Sequence, residues 1–370
     1  MCFRLVGFYV VALWSALSSW LADAQQPIKL GMSAPFSGPA AQLGLQFRDG
    51  ANLVFNRLNA QGGINGNPIQ LVTADDGYEP LRTVENTRKF LLEQQVFALF
   101  GYIGTPTSSA ILPLLRKHQQ PYLAAFTGAD ILRQPDDTFI FNFRASYREE
   151  AAAQARYLID QRQFRRVALL IQADEFGASV ERWYLTELAR RQLQPVAIVR
   201  FQRNTADMHN AVRQLKEASP DVVLTVGTYQ PLVKAIQLGQ QHQFNPVYSV
   251  VSFTGIQQLQ QQLKLPYQVF ASMVVPDPQD ATSEFVRAYR HAAKAENMQA
   301  SDVGLEGFAA ASILVSAFKS CSGNLTQACL MQQLPQQRLY DFSLRYQPDT
   351  HQASHQIFLY QLTPLKLLKI

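Results

Sequence analysis

Residues 101–110 read GYIGTPTSSA and set Thr105, Thr107, Ser108 and Ser109 between an apolar run, VFALF, and a helical stretch, ILPLLRKH. Hydroxyls and backbone N–H groups at a helix start suit a small anion such as a carboxylate. The first-turn N–H groups lack intrahelical acceptors, and the helix dipole favours negative charge there. Nucleotide phosphate is excluded by the spacing. A Walker A loop needs a lysine after its second glycine, and none occurs before Lys117; the G-x-G-x-x-G pattern is absent too. The plainer reading is that Thr107 or Ser108 caps the helix, and this stretch alone leaves both readings open.

Other reactive groups are sparse. The acidic pairs Asp75-Asp76 and Asp174-Glu175 fall at expected strand ends. Such pairs can serve as paired catalytic carboxylates, contact a ligand, or simply cap helices and solvate loops. His351 and His355 lie in a polar, strand-like stretch without further ligands, so no metal site is expected. G-x-S-x-G, H-E-x-x-H and C-x-x-C are all absent. Nothing assembles a nucleophile, a base and an oxyanion donor, so neither an enzyme nor a cofactor is expected.

The elements around these residues alternate. Strand-like IKLGMSA, PIQLVTADD, VFALFG and PYLAAF are separated by helical stretches, and a second run follows with RRVALLIQ, PVAIVRF, DVVLTVG and PVYSVVS. Strands of about six residues between helices of twelve to sixteen imply parallel βαβ units. Two runs of similar order predict an α/β protein of two similar lobes, each a parallel sheet flanked by helices. Ligands in such sheets sit beyond the carboxyl ends of strands. Six of those ends, from APFSG to VVSFTG, carry glycine, hydroxyls or aromatics, which points to a cleft between lobes.

The chain has 370 residues, 47% hydrophobic and 16% charged, enough for two cored domains. The net charge of +5 comes from scattered Lys and Arg, so nucleic acid is not an expected partner. Arg4, the apolar stretch LVGFYVVALWSAL and Ala22-x-Ala24 form a signal-peptide pattern over 1–24, cleaved after Ala24. An exported, soluble, periplasmic protein follows, and no other stretch reads as long and apolar enough to cross a membrane. Export leaves Cys321 and Cys329, which read as a disulfide in an oxidising compartment, against the alternative of two free thiols.

The order and spacing of IKLGMSAPFSGPAAQLGLQFRDGANLVFNRLNAQGG, FGYIGTPTSSAILPLL, PYLAAFTGADILR, FNFRASYREEAAA, ADEFG, VVPDP and LEGFAAASILVSAF resemble type I periplasmic binding proteins. The resemblance is to the leucine/isoleucine/valine-binding branch of ABC-transporter receptors. It implies a small-molecule ligand, an amino acid, amide or small carboxylate, closed between lobes joined by a three-segment hinge. The implied partner is an ABC permease or, alternatively, a signalling receptor, with the protein a monomer. Lobe 1 would be 27–143 plus 276–340, and lobe 2 would be 144–275 plus 341–370.

By the same resemblance Thr105 and Thr107 hold the ligand carboxylate, and Ala125, Phe126 and Thr127 add donors. Phe36, Ser37 and Leu43 line the lobe 1 wall; Phe176 and Tyr229 face them from lobe 2. One departure stands out. Amino-acid receptors of this branch place a glutamate after the strand matching VYSVVS, and here Ser252, Phe253 and Thr254 stand there. Either Asp174 or Glu175 partners a ligand ammonium, or the ligand is not an α-amino acid; Phe253 narrows the pocket or makes it aromatic, which leaves an amide, a urea-like molecule or an aromatic carboxylate open. The branch's lobe 1 disulfide is also missing, with Gly77 and Gly104 in its neighbourhood.

Overall fold

The computed structural model describes residues 26–263, 267–321, 323, 325–339, 346–347 and 349–370. The signal-peptide expectation, 1–24, lies outside the described residues. Lobe 1 is built on β1 (Ile28–Ala34), β2 (Ile69–Asp75), β3 (Ala98–Phe100), β4 (Tyr122–Leu123) and β5 (Ile140–Phe141), in the order β2-β1-β3-β4-β5. All four pairings are parallel. The connecting helices are α1 (Ala41–Ala60), α2 (Pro80–Leu92) and α3 (Thr105–His118).

Lobe 2 begins with α4 (Tyr147–Ala155), which continues as a π-helical turn, Arg156–Gln161. Its sheet joins β6 (Val167–Gln172), β7 (Ala197–Phe201), β8 (Val222–Val226), β9 (Val247–Val250), β10 (Val269–Met273), β11 (Phe358–Leu362) and β12 (Leu367–Lys369). The order is β12-β11-β10-β9-β8-β6-β7, parallel except for the last hairpin, whose strands run antiparallel. Helices α5 (Glu175–Arg190), α6 (His209–Ala218), α7 (Tyr229–Gln241) and α8 (Ile256–Gln262) connect the strands. The β6 sequence VALLIQ is buried throughout, as a central parallel strand covered on both faces must be.

After β10 the chain returns to lobe 1 through α9 (Glu284–Ala295), α10 (Asp302–Ser320) and α11 (Gln327–Gln333). Helix α10 packs directly on α1. A Cβ at Gly50 would stand 2.0 Å from the Gly304 carbonyl oxygen, and one at Gly307 would stand 2.2 Å from that of Phe47, so only glycine allows this approach. Contrary to the sequence expectation, α10 is long and apolar enough to span a membrane, with a mean hydropathy of 1.3. The reason is packing: 78% of that apolar window is buried in the core of lobe 1.

The third crossing lies later than position 340. Tyr346 and His351 pack on Phe141, and the amides of Ala353 and Ser354 donate to Asn142 and Phe143 beside β5. Arg133 anchors this stretch by donating to Gln352 at 2.6 Å. The segment stays with lobe 1 through Ser354 and enters the lobe 2 sheet at β11. Cys321 and Cys329 are joined as a disulfide at the end of α10.

Candidate functional site

The carboxyl ends of both sheets face one another across a closed seam. From lobe 1 come Tyr78 after β2, Thr105 after β3, and Phe126 and Thr127 after β4. From lobe 2 come Asp174 and Phe176 after β6, Arg203 after β7, Tyr229 after β8, and Ser252 and Phe253 after β9. The aromatic members are buried together. The Phe253 ring lies 4.5 Å from that of Phe176, 5.5 Å from Phe126 and 6.0 Å from Tyr78, and Tyr147 is 5.5 Å from Phe176.

Beside this group runs a chain of hydroxyls. Thr105 and Thr127 share a hydrogen bond of 2.7 Å, and Thr127 donates to Tyr147 at 3.2 Å. Thr105 opens α3, whose N-cap Gly104 has φ +106 and no side-chain cap. Thr107 and Ser108 do not cap the helix; each hydroxyl donates back to the Gly104 carbonyl, at 2.9 and 2.6 Å. That leaves Thr105 and the first-turn N–H groups as the donors facing the seam.

The other expected residues sit further out. Phe36 and exposed Ser37 are tied to Asp75, whose carboxylate accepts both backbone N–H groups and the Ser37 hydroxyl. Ala125 is buried and accepts from the Thr127 amide. Tyr229 is buried, with its hydroxyl at the Gln42 backbone. Asp174 caps α5, accepting from the amides of Phe176 and Gly177, from Gln172 at 2.7 Å and from Arg203 at 3.3 Å. Burial still holds the Asp174 carboxyl above its usual pKa, with Gln172 and Gly177 pulling the other way. Glu175 is exposed and edges a surface cavity of about 430 Å³ with Thr105, Asp130 and Arg182.

Three groups escaped the sequence reading. Tyr78 is fully buried at φ +64, and its hydroxyl neighbours Gln172 without a well-aligned hydrogen bond. A Cβ on Gly104 would stand 2.3 Å from its ring, so the two residues require each other. Burial, with the Asp174 charge adding, raises its pKa well above the ordinary tyrosine value. Burial likewise pushes Tyr147 up to about 12, so both phenols are neutral donors. Arg203 lies 5.7 Å over the Tyr78 ring and crosses the seam to Glu79 at 2.9 Å, while Asn204 reaches Glu79 at 2.8 Å. The sequence signal was faint: a tyrosine after DDG, and an arginine just past a strand.

Arg144, in the first crossing, is the third. It is wholly buried, stands 4.2 Å over Phe126, donates to Ser252 at 2.6 Å and pairs with Glu306 at 3.3 Å. Ser252 in turn donates to Glu150 at 2.7 Å, and Ser272 donates to the same carboxylate at 2.5 Å. Ser252 thus ties the loop after β9 to the first crossing, while Phe253 beside it faces the seam.

A larger hollow of about 590 Å³ lies among Ile236, Pro246, Tyr248 and Tyr267, at the amino ends of β9 and β10, remote from these groups. Among the described residues no cluster of metal-ligating side chains occurs.

Residues 27–365 match the family described as periplasmic binding protein. The chain belongs to that family. Its two lobes and parallel sheets are those of type I periplasmic binding proteins, in the leucine/isoleucine/valine-binding branch, a family of binding proteins rather than enzymes. A solved structure of a possible leucine/isoleucine/valine-binding protein from Rhodopirellula baltica is similar at 32% identity and TM-score 0.87, covering 94% of this chain and 96% of that one. A branched-chain amino acid transporter substrate-binding protein from Streptococcus pneumoniae, in complex with isoleucine, shares the fold at TM-score 0.80 and 17% identity, over 93% of this chain and 99% of that one. Leu/Ile/Val-binding protein homolog 7 of Brucella abortus is 25% identical over 241 residues, 63% of this chain and 60% of that protein's length.

Proposed function

We propose that this periplasmic binding protein is exported to the periplasm, closes on a small solute between its lobes and delivers it to an ABC importer. The observation that carries the reading is the join of Thr105 and Thr127 in lobe 1 to Tyr147 and Phe176 beyond the first crossing. Hydroxyls of the kind that suit a carboxylate and an apolar wall meet there from both lobes. The ligands named for relatives, isoleucine among them, support a small carboxylate as the class. Delivery to a permease rests on the company this branch keeps, and a monomer suffices for it.

A thermal-shift screen of amino acids, amides and small organic acids tests this reading. At least one compound is expected to raise the melting temperature in a saturable manner. A folded protein indifferent to the whole panel contradicts it.

A further inference from the structure

We propose that the cleft selects a flat aromatic monocarboxylate and rejects α-amino acids, because its walls are aromatic and its buried carboxylates are already taken. The inference rests on the solute-binding reading above and names its ligand class.

The carboxylates of the seam decide against an ammonium. Asp174 has four donors on its two oxygens, including Arg203. Glu79 holds Arg203 and Asn204. Glu150 accepts from Ser252 and Ser272, and Glu306 pairs with Arg144. Glu175 is exposed at the outer mouth, where Arg182 lines the same cavity. An ammonium enclosed here would displace an existing partner or stay unpaired, and either is unfavourable.

Aromatic walls also hold cations by their ring faces, so a quaternary ammonium needs weighing. Two of these faces are already covered by guanidinium groups, Arg144 over Phe126 at 4.2 Å and Arg203 over Tyr78 at 5.7 Å. A third cation would find both faces taken.

The unused hydrogen-bonding groups point the same way. Arg203 Nε and Arg144 Nη1 are buried donors without acceptors, and the Tyr78 hydroxyl has only a poorly aligned one in Gln172. With Thr105 and the start of α3 they offer a carboxylate what it needs. Asn204 Oδ1 is a buried acceptor without a donor, suited to a ring hydroxyl. Beside these groups the rings of Tyr78, Phe126, Tyr147, Phe176 and Phe253, in mutual contact, offer an aromatic wall to a planar body.

Calorimetry with benzoate, 4-hydroxybenzoate and phenylacetate against L-phenylalanine, L-leucine and choline is the test. At least one aromatic acid should bind about 100-fold tighter than phenylalanine, whose ammonium is the added burden. Tyr78→Phe, which keeps the ring and the fold, should weaken it about tenfold. Leucine, phenylalanine or choline binding as tightly as the aromatic acids overturns this ligand class and leaves solute binding standing. Failure of these probes together with a wide amino-acid and amide panel overturns both.

Discussion

Trp183 of α5 donates its indole N–H to Asp130 of lobe 1 at 2.7 Å, joining the two lobes beside the mouth of the cleft. Arg182 binds the same carboxylate, and Arg148 lies 5.2 Å over the indole. On the other flank Arg203 and Asn204 hold Glu79. The closed seam is therefore pinned on both flanks by groups that need no ligand, with Asp302 holding Ile256 and Gln257 as a further tie, and opening must break these contacts.

Trp183 follows Trp14 and Trp20 of the expected leader and is the single tryptophan of a chain begun at Gln25. Its emission should shift when ligand closes the lobes, as the indole loses water and gains Asp130. Asp130→Ala should abolish that shift and weaken binding about fivefold, the worth of one charge-assisted hydrogen bond of about 1 kcal/mol. An unchanged affinity, measured by calorimetry, would show that this contact plays no part in closure.

Gly104→Ala should be far more damaging than a surface glycine change. The new methyl would meet the Tyr78 ring at 2.3 Å, on backbone at φ +106 that other residues avoid. A loss of about 1–3 kcal/mol in urea unfolding is expected, with ligand affinity down at least about tenfold. Wild-type stability in that variant would mean that Tyr78 is free to leave.

The hinge makes stability depend on pH. Burial lifts Glu306 to about 7, against the pull of Arg144 and with Asp302 and Glu150 adding repulsion. The folded state then holds a proton that the unfolded chain releases near the ordinary value of 4.5. Stability should fall as pH rises from about 4.5 through about 7 and level off above. Asp302 and Asp76, each raised to about 6 by burial, act in the same direction. Melting curves between pH 5 and 8 should show this slope, and Glu306→Gln should reduce it without removing it. An identical slope in the variant would place the proton elsewhere.

The fold was legible because buried parallel strands announce themselves as unbroken apolar runs, and because the loops after them carry glycine and hydroxyls. Thr105, Thr127, Phe176 and Phe253 could be placed at strand ends on that ground, and the structure gathers them. Thr107 was not distinguishable from Thr105, since two positions along a helix decide whether a hydroxyl faces the seam or its own backbone. Tyr78 stayed hidden because its position depends on a left-handed backbone and on an absent side chain at Gly104, 26 residues away in sequence. Arg144 and Arg203 stayed hidden because pairing across a seam leaves no periodic trace in the chain. The membrane-length character of α10 is written in its composition, and only its burial marks it as a core helix.

In the proposed function a solute sits between the lobes against the Thr105–Thr127 hydroxyl pair. Calorimetric titration of ligand-stripped protein, wild type beside Thr105→Val and Thr127→Val, tests it most directly. One ligand per chain is predicted for the wild type, with at least about tenfold weaker binding in each variant while the unfolding midpoints barely move. Equal affinity in all three proteins would contradict the claim.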